Sequence, residues 1–491
     1  YSGASHLNDI FMFKPVFKDG ERVAFLSVIM HHTDMGGRVP GGNAPDSTEI
    51  FQEGLRIPPT KIVDRGHTNV TLMRIIETNV RVPDKVLADL QSQIAALGMG
   101  ERDLLKQLKA YDVQEFMAYT TDLIDYAERL TRAAIMELPD GSVEFTDWND
   151  DDGAGSGPVK FHVRLTVAGD EIEVDFTGTS TQTSGALNPN YWFTASCALA
   201  AIRSSLDMAI PSNAGFYRPI RVIAPEGCFV NPRFPAPVGA RGQAGYRCRT
   251  LILGALAKLM PGKVPACPGG SEFGIVFAGY DQMNAPFLYL EFHNMTGLGG
   301  GPKQDGQDAG PFCLGNPANV PIEIIEAENP VLIENYGFLP DTGGPGQHRG
   351  ALGVVRQYRV LADEATVQVR SDRQRYRPWG LFGGKGGAFG KCILNPGPKA
   401  EILPSKFLRT LQQGEVFRGE MPGSGGYGDP FKRDPDKVLE DVRQEKMTHA
   451  HALNEYGVVI DSETLEVDRL STKNERHRRS STATSQPNGE G

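Results

Sequence analysis

A histidine followed three residues later by an aspartate occurs twice in the first 34 residues, as His6-x-x-Asp9 and His31-x-x-Asp34. Between the copies lies a β-type run, Val16 to Met30. Asp9 to Met30 as a whole alternates enough for two strands, with Phe17-Lys-Asp-Gly20 as a hairpin turn. A hairpin returns to where it began, so the two pairs are predicted to meet at its open end. Imidazole and carboxylate together suit a borderline or hard divalent cation such as Zn, Mn or Fe. Turn and hydrogen-bonding residues at strand ends produce the same spacing without an ion, and spacing alone leaves both readings open. Gly36, Gly37, Gly41 and Gly42 follow directly. They form a loop where a substrate can approach backbone closely. In the next segment, Glu49 to Pro59, the side chains of Glu49, Gln52, Glu53 and Arg56 either reach back to that cluster or decorate a surface turn.

The texture then becomes helical. Pro83-Asp84 starts a helix with Val86, Leu87, Leu90, Ile94 and Leu97 at helical spacing, and Gly98 and Gly100 are expected to stop it. Further helices are expected at Asp103 to Leu108 and Val113 to Met136, the latter with Phe116, Leu123, Ile124, Ala127, Leu130 and Ala134 on a packing face. Asp150, Asp151 and Asp152 stand in a Gly-rich stretch without an EF-hand pattern and read as a solvated loop. From Val159 the pattern is β, with Gly169-Asp170 as a hairpin signal, and helices are expected at Tyr191 to Leu206 and Tyr246 to Met260. Glycine and proline make up close to one residue in five, 57 and 34 of 491. That share is high for a helical protein and typical of many turns and loops. The sum is an α+β chain: β-rich mixed architecture, a helical segment near residues 83–137, and long Gly-rich loops. Three regions are expected, at 1–150, 151–400 and 401–491, the last ending in a polar, disordered tail.

Several function classes are excluded or disfavoured. A formal charge of −10 opposes non-specific binding to nucleic acid or an anionic membrane. The most apolar helix-like run, Leu251 to Met260, is too short to span a bilayer and contains Lys258. Six scattered cysteines without a C-x-x-C pair read as the reduced thiols of a cytoplasmic protein. Gly423 to Gly428 satisfies G-x-G-x-x-G, but Asp429-Pro430 follows and no apolar strand abuts it, so it is no dinucleotide site. No P-loop and no G-x-S-x-G elbow occur. The glycines of Met295 to Gly301 and Asp341 to Gly353, mixed with Asp305, Asp308, Asp341, His348 and Arg349, suggest positive-φ loops around a site or long β connections.

These stretches together resemble the hydantoinase B/oxoprolinase family. The resemblance lies in SHLNDIFMFKPVF, HHTDMGGRVPGG, STEIFQEGLRIPP, DFTGTSTQTSGALN, NAGFYRPI, PIEIIEAENPVLIE, PDTGGPGQHRGALG, PWGLFGGKGG and PGSGGYGDP, and it runs to about residue 460. It implies a metal held by His6, Asp9 and His31, together with an acidic residue from a segment preceding the position of Tyr1. Asp34 matches the D of the same motif as a ligand or a residue next to one. Asp34 and His32 are the candidate catalytic residues. The resemblance also implies a hetero-oligomer in which an A-type partner, hydantoinase A-like, takes up ATP and phosphorylates a small-molecule substrate. The B-type chain then hydrolyses the activated cyclic amide at its metal site. Two alternatives stand beside this: a component of an acetone- or acetophenone-carboxylase-type enzyme, and a non-catalytic scaffold. The chain opens at Tyr1 inside a motif, so any targeting peptide is unreadable.

Overall fold

A computed structural model describes residues 1, 5–206, 209–270, 273–293, 297–310 and 319–483. Helix takes 30% of it and strand 26%, distributed over several small sheets, so the expected mixed α+β class holds. Strands β1 (Asp9–Lys18) and β2 (Glu21–His31) pair antiparallel around Asp19-Gly20. Both turn residues have positive φ, +53° and +84°, which suits a tight hairpin. After the two-residue strands β3 (Val63–Asp64) and β4 (His67–Thr68) come helices α1 (Val70–Asn79), α2 (Pro83–Gln107) and α3 (Val113–Met136). One hairpin face buries Met12 against Ile76, Val86, Leu90 and Leu97, with Leu26 and Val28 alongside. The other leaves Phe13, Phe25 and Ile29 exposed.

Helix α2 corrects the expectation of a stop at Gly98 and Gly100. It runs on to Gln107 and absorbs the helix expected at Asp103 to Leu108. Glycine within a helix costs about 1 kcal/mol relative to alanine, less than the packing of α2 on the hairpin returns. At Gly100 a Cβ would stand only 3.2 Å from Leu26 Cδ1, so the glycine lets helix and hairpin approach. On α3 the fully buried residues are Ala127, Thr131 and Ile135, whereas Leu123 of the expected packing face is exposed.

A four-stranded sheet follows in the order β5 (Gly141–Asn149), β6 (Val159–Ala168), β7 (Glu171–Asp175) and β8 (Ile220–Ile223). Helices α4 (Tyr191–Arg203), the short α5 (Ala214–Tyr217) and α6 (Gly242–Leu259) belong to the same unit. Phe161, Val163, Leu165 and Val174 of this sheet form one core with Ala198, Leu251 and Ile252 of α4 and α6. A second core lies between two further sheets. The first contains β9 (Phe273–Tyr280) and β10 (Pro286–His293). After α7 (Ile322–Glu328) come β11 (Val331–Leu339), β12 (Gly353–Val360), β13 (Glu364–Arg370), β14 (Lys391–Leu394), β15 (Glu401–Leu403), β16 (Lys406–Gln412) and β17 (Val416–Glu420). The orders are β10-β9-β13-β16 and β11-β12-β17-β14-β15. Phe277 from one sheet meets Tyr358 from the other with ring centres 5.1 Å apart. Helices α8 (Pro435–Arg443), α9 (His449–Tyr456) and α10 (Arg469–Ala483) close the chain. The segment expected as a disordered tail is thus helical as far as Ala483, and its remainder lies outside the described residues. No described helix is long and apolar enough to cross a membrane. Cys197, Cys228, Cys248, Cys267 and Cys392 are buried and form no disulfide among the described residues, and Cys313 and Met295 lie outside them.

The acidic run at 150–152 is not a solvated loop. Asp150 and Asp152 are buried, and their carboxylates are capped by backbone amides, Asp150 by Gln374 and Arg375, Asp152 by Ala154, Ser156 and Gly185. Satisfying those amides replaces the water that an acidic loop would otherwise need. The Gly-rich stretches at 343–350, 380–387 and 423–426 serve mainly close approach; within them only Phe382 and Gly383 have positive φ, +52° and +95°. They lie backbone against backbone: Gly344 N–H donates to Ser424 O at 2.7 Å, Gly426 N–H to Lys385 O at 2.9 Å and Gly300 N–H to Gly425 O at 2.9 Å. A Cβ on Gly423 would stand 1.8 Å from Thr342 O, and one on Gly350 2.0 Å from Ser424 O. The G-x-G-x-x-G segment is therefore occupied by protein. Gly423→Ala is expected to lower stability by about 3 kcal/mol or more, beyond the usual range for an added methylene, because the obstacle is backbone. Chemical denaturation checks it; an unchanged midpoint would contradict this packing.

Candidate metal centre

The hairpin register places Asp9, the first residue of β1, opposite His31, the last of β2. His6 sits in the turn just before, closed by an Asp9 N–H to His6 O contact of 3.4 Å. Ligand atoms of His6, Asp9 and His31 all lie within 4.8 Å of one another. The two imidazoles have ring centres 4.9 Å apart, and His6 Nε2 stands 3.3 Å from Asp9 Oδ2. Asp9 Oδ2 also accepts from Arg241 Nη2 at 2.7 Å and from Ser5 Oγ. The Phe292 ring meets His31 edge-on, centroids 5.7 Å apart.

The donor set fits a divalent cation. Among the described residues His6 Nδ1 and His31 Nε2 are buried without a hydrogen-bond partner, and His6 Nε2 has only the Asp9 carboxylate near it, an expensive state for a ring nitrogen unless something else accepts its lone pair. Burial pushes the His6 imidazole down to about 4 and His31 well below the ordinary histidine value, with Arg241 and Arg370 adding to both shifts. Both rings are therefore neutral at physiological pH, the form that ligates metal. The Asp9 carboxyl is held well below its usual range: His6 and Arg241 overcome its burial. Two neutral imidazoles and one carboxylate are a donor set for Zn, Mn or Fe.

The structure does not bring His32 or Asp34 into this cluster. Side chains of an extended chain alternate, so His32 turns to the face opposite His31. There its Nε2 lies 3.1 Å from Gln93 Oε1 of α2. Asp34 is fully buried and its oxygens are taken: Oδ1 accepts from Gly41 N–H at 3.0 Å and Arg81 Nη1 at 3.1 Å, and Oδ2 from Arg81 N–H at 2.7 Å. It ties the Gly-rich loop to the α1–α2 connection. Asn8 does similar work, donating to His32 O at 2.8 Å and Gly41 O at 3.2 Å. Of the four polar side chains of the 49–59 segment, only Glu53 turns inward, accepting from the Val238 and Gly239 amides at 2.8 and 2.7 Å. Gln52 bonds Thr48, and Arg56 lies over the Phe51 and Phe234 rings. Sequence reading missed Arg241, which stands 232 residues from Asp9. No local spacing could have signalled it.

Burial pushes the Glu53 carboxyl up to about 8, against the pull of the two amides and Arg241. Its folded value stands above the unfolded one, so between about pH 4.5 and about pH 8 the folded chain binds more protons than the unfolded chain. The Glu53 contribution to stability therefore falls as pH rises through that window. Glu53→Gln is expected to gain stability over the wild type progressively from about pH 5 to about pH 8. Urea denaturation at several pH values reads this directly. A difference that does not change with pH would mean that Glu53 is already charged in the fold.

The family model described as hydantoinase B/oxoprolinase matches residues 1–430. The chain belongs to the hydantoinase B/oxoprolinase family. This family member is 34% identical to a putative D-/L-hydantoinase B subunit of Pseudomonas sp. (strain NS671), covering 96% of this chain and 82% of that one. It is 33% identical to the beta subunit of the caprolactamase of Pseudomonas jessenii over 93% of this chain and 80% of that one. The crystal structure of the ATP-dependent caprolactamase from the same organism superposes with a TM-score of 0.89 at 30% identity, covering 96% of this chain and 83% of that one. A nucleotide-free acetone carboxylase structure superposes at 0.91 with 19% identity, over 99% and 72%, a likeness of fold. As a hydantoinase B/oxoprolinase family member the chain sits among subunits of ATP-dependent enzyme complexes.

Proposed function

We propose that this chain is the metal-dependent B-type subunit of an ATP-dependent cyclic-amide hydrolase. An A-type partner uses ATP to phosphorylate the amide, and this chain completes the ring opening. The net reaction takes the cyclic amide, ATP and two waters to ADP, phosphate and one ring-opened product: one water replaces the broken amide C–N bond at carbon, and the other releases the transferred phosphoryl group as phosphate. The observation that carries the reading is the His6–Asp9–His31 cluster, with buried ring nitrogens that lack a hydrogen-bond partner among the described residues. The names of two relatives, one a hydantoinase and one a caprolactamase component, support the substrate class. His6, Asp9 and His31 would hold the ion, which when bound supplies Lewis acidity toward water and carbonyl oxygen. The chain's own residues prepare the site. Arg241 and Ser5 fix the Asp9 carboxylate, Phe292 packs against His31, and burial keeps both imidazoles neutral.

The deciding experiment is elemental analysis of the purified complex, followed by ATP turnover with a hydantoin, a lactam, and acetophenone plus bicarbonate. Stoichiometric metal with ATP-dependent ring opening is the expected result. Metal with turnover only on ketone and bicarbonate would move the chain to the carboxylases. A metal-free but active complex would leave the cluster a structural device and this chain a scaffold.

A further inference from the structure

Two guanidinium groups stand beside the triad. Arg241 donates through Nη2 to Asp9 and through Nε and Nη2 to Ser5 Oγ at 3.2 and 3.0 Å. Its Nη1 has no hydrogen-bond partner among the described residues, and its side chain keeps 13% of its surface open. It is also the N-cap residue of α6, so the positive end of that helix adds to its field. Arg370, the last residue of β13, reaches the same place from another strand. Its Nη1 donates to Asn43 O at 3.1 Å, and its guanidinium carbon lies 5.6 Å from the centre of the Phe292 ring that packs on His31. Room for it is built into the neighbouring strand. Gly274 pairs with Arg370 across β9 and β13, and a Cβ there would crowd Arg370 Nη2.

The charges do not balance around the triad. Apart from the imidazoles' effect on each other, the charges that act most on both rings are one carboxylate, Asp9, and two guanidiniums, Arg241 and Arg370. Asp34 is engaged by Arg81. Glu53, the other acid near Arg241, is held by two backbone amides and stays protonated near neutrality. Adding a divalent ion leaves a strong formal excess of positive charge in a buried, low-dielectric place. Such a site favours a ligand with more than one negative charge, and guanidiniums present paired donors that match oxyanions.

We propose that Arg241 and Arg370 form an oxyanion-binding pair beside the His6–Asp9–His31 cluster, and that the substrate places a phosphoryl or carboxylate group between them. This deepens the functional reading above and rests on it for the metal's share of the charge. Arg241 then has two duties, fixing Asp9 with one nitrogen and offering the other to the ligand.

The test is equilibrium binding of inorganic phosphate and, separately, of bicarbonate to the purified complex, with chloride as control and metal content measured on the same samples. Arg370→Gln, which alters none of the three ligands, is expected to raise the Kd at least tenfold with metal content unchanged. Arg241→Gln is expected to raise the Kd as well and, because Arg241 also holds the Asp9 carboxylate, to lower metal content, and Arg241→Lys to restore part of the affinity. A preference for phosphate assigns the phosphoryl group, and a preference for bicarbonate the carboxylate. Unchanged affinity for both anions in Arg370→Gln and Arg241→Gln, or no binding by the wild type, overturns the pair. Should Arg370→Gln fail to fold, the two Arg241 variants, compared with the wild type at equal metal content, still decide. Metal-free protein that binds phosphate and loses it in these variants would sink the metal reading and leave the pair standing.

Discussion

In His6→Ala the purified complex is expected to carry no stoichiometric metal, and its ATP-dependent turnover to fall by about three decades or more. Three decades correspond to about 4 kcal/mol, in the range of the several kcal/mol that a bound cation contributes to charge stabilisation. The cause is local. His6 supplies one of the two imidazoles in the cluster, and among the described residues its buried Nδ1 has no hydrogen-bond partner while its Nε2 has only Asp9 near it. His31→Ala and Asp9→Ala should behave alike, because the three side chains act as one unit. His32→Ala gives the contrast. Its ring faces Gln93 on the other side of the hairpin, so metal content should hold while the buried hydrogen bond is lost. Elemental analysis and turnover on the same preparations separate the two cases. Full activity in a metal-free His6→Ala complex would remove the metal from the function altogether.

The second large effect is on stability. Asp372→Ala is expected to destabilise the fold by about 3–5 kcal/mol, the range for removing one partner of a buried ion pair. Asp372 is buried between Arg247, which donates to it, and Lys406, 3.4 Å away, and it also caps the Asp150 amide at 2.8 Å. Arg247 reaches on to Asn149 and Asp147, and Arg373 clamps Asp147 with both terminal nitrogens, at 3.1 and 3.0 Å. The network joins the last residues of β5 to the chain just after β13, elements of two different cores. Without Asp372, Arg247 and Lys406 each lose a charge partner in a place water does not reach. A denaturation midpoint that falls with an unchanged slope would report this loss. A variant within about 1 kcal/mol of wild type would mean that water enters the junction.

Some of this was open to a reader of the sequence. The front hairpin follows from alternation and an Asp-Gly turn, and the meeting of Asp9 with His31 follows from the hairpin, since strands of similar length bring their outer ends together. Helix α3 and the β6–β7 hairpin were legible for the same reason: each depends on neighbours within a few residues. The continuation of α2 through two glycines was not, because local propensity argues for a stop and the hairpin beneath the helix argues against it. The burial of Asp150 and Asp152 was hidden too, since the amides that satisfy them lie mostly far along the chain, at Gln374, Arg375 and Gly185.

The mixed α+β class, the family and the three side chains that converge at the hairpin mouth could all be read from the order of residues. The positions of His32 and Asp34 outside that cluster could not; packing against α2 and the α1–α2 connection set them. Packing also brought Arg241 and Arg370 to the cluster's rim and made the Gly-rich segments a backbone-packed knot. Periodicity and turn chemistry act over a few residues and are written locally. Charge pairing and close backbone approach act through space, between residues whose separation along the chain carries no information about their distance.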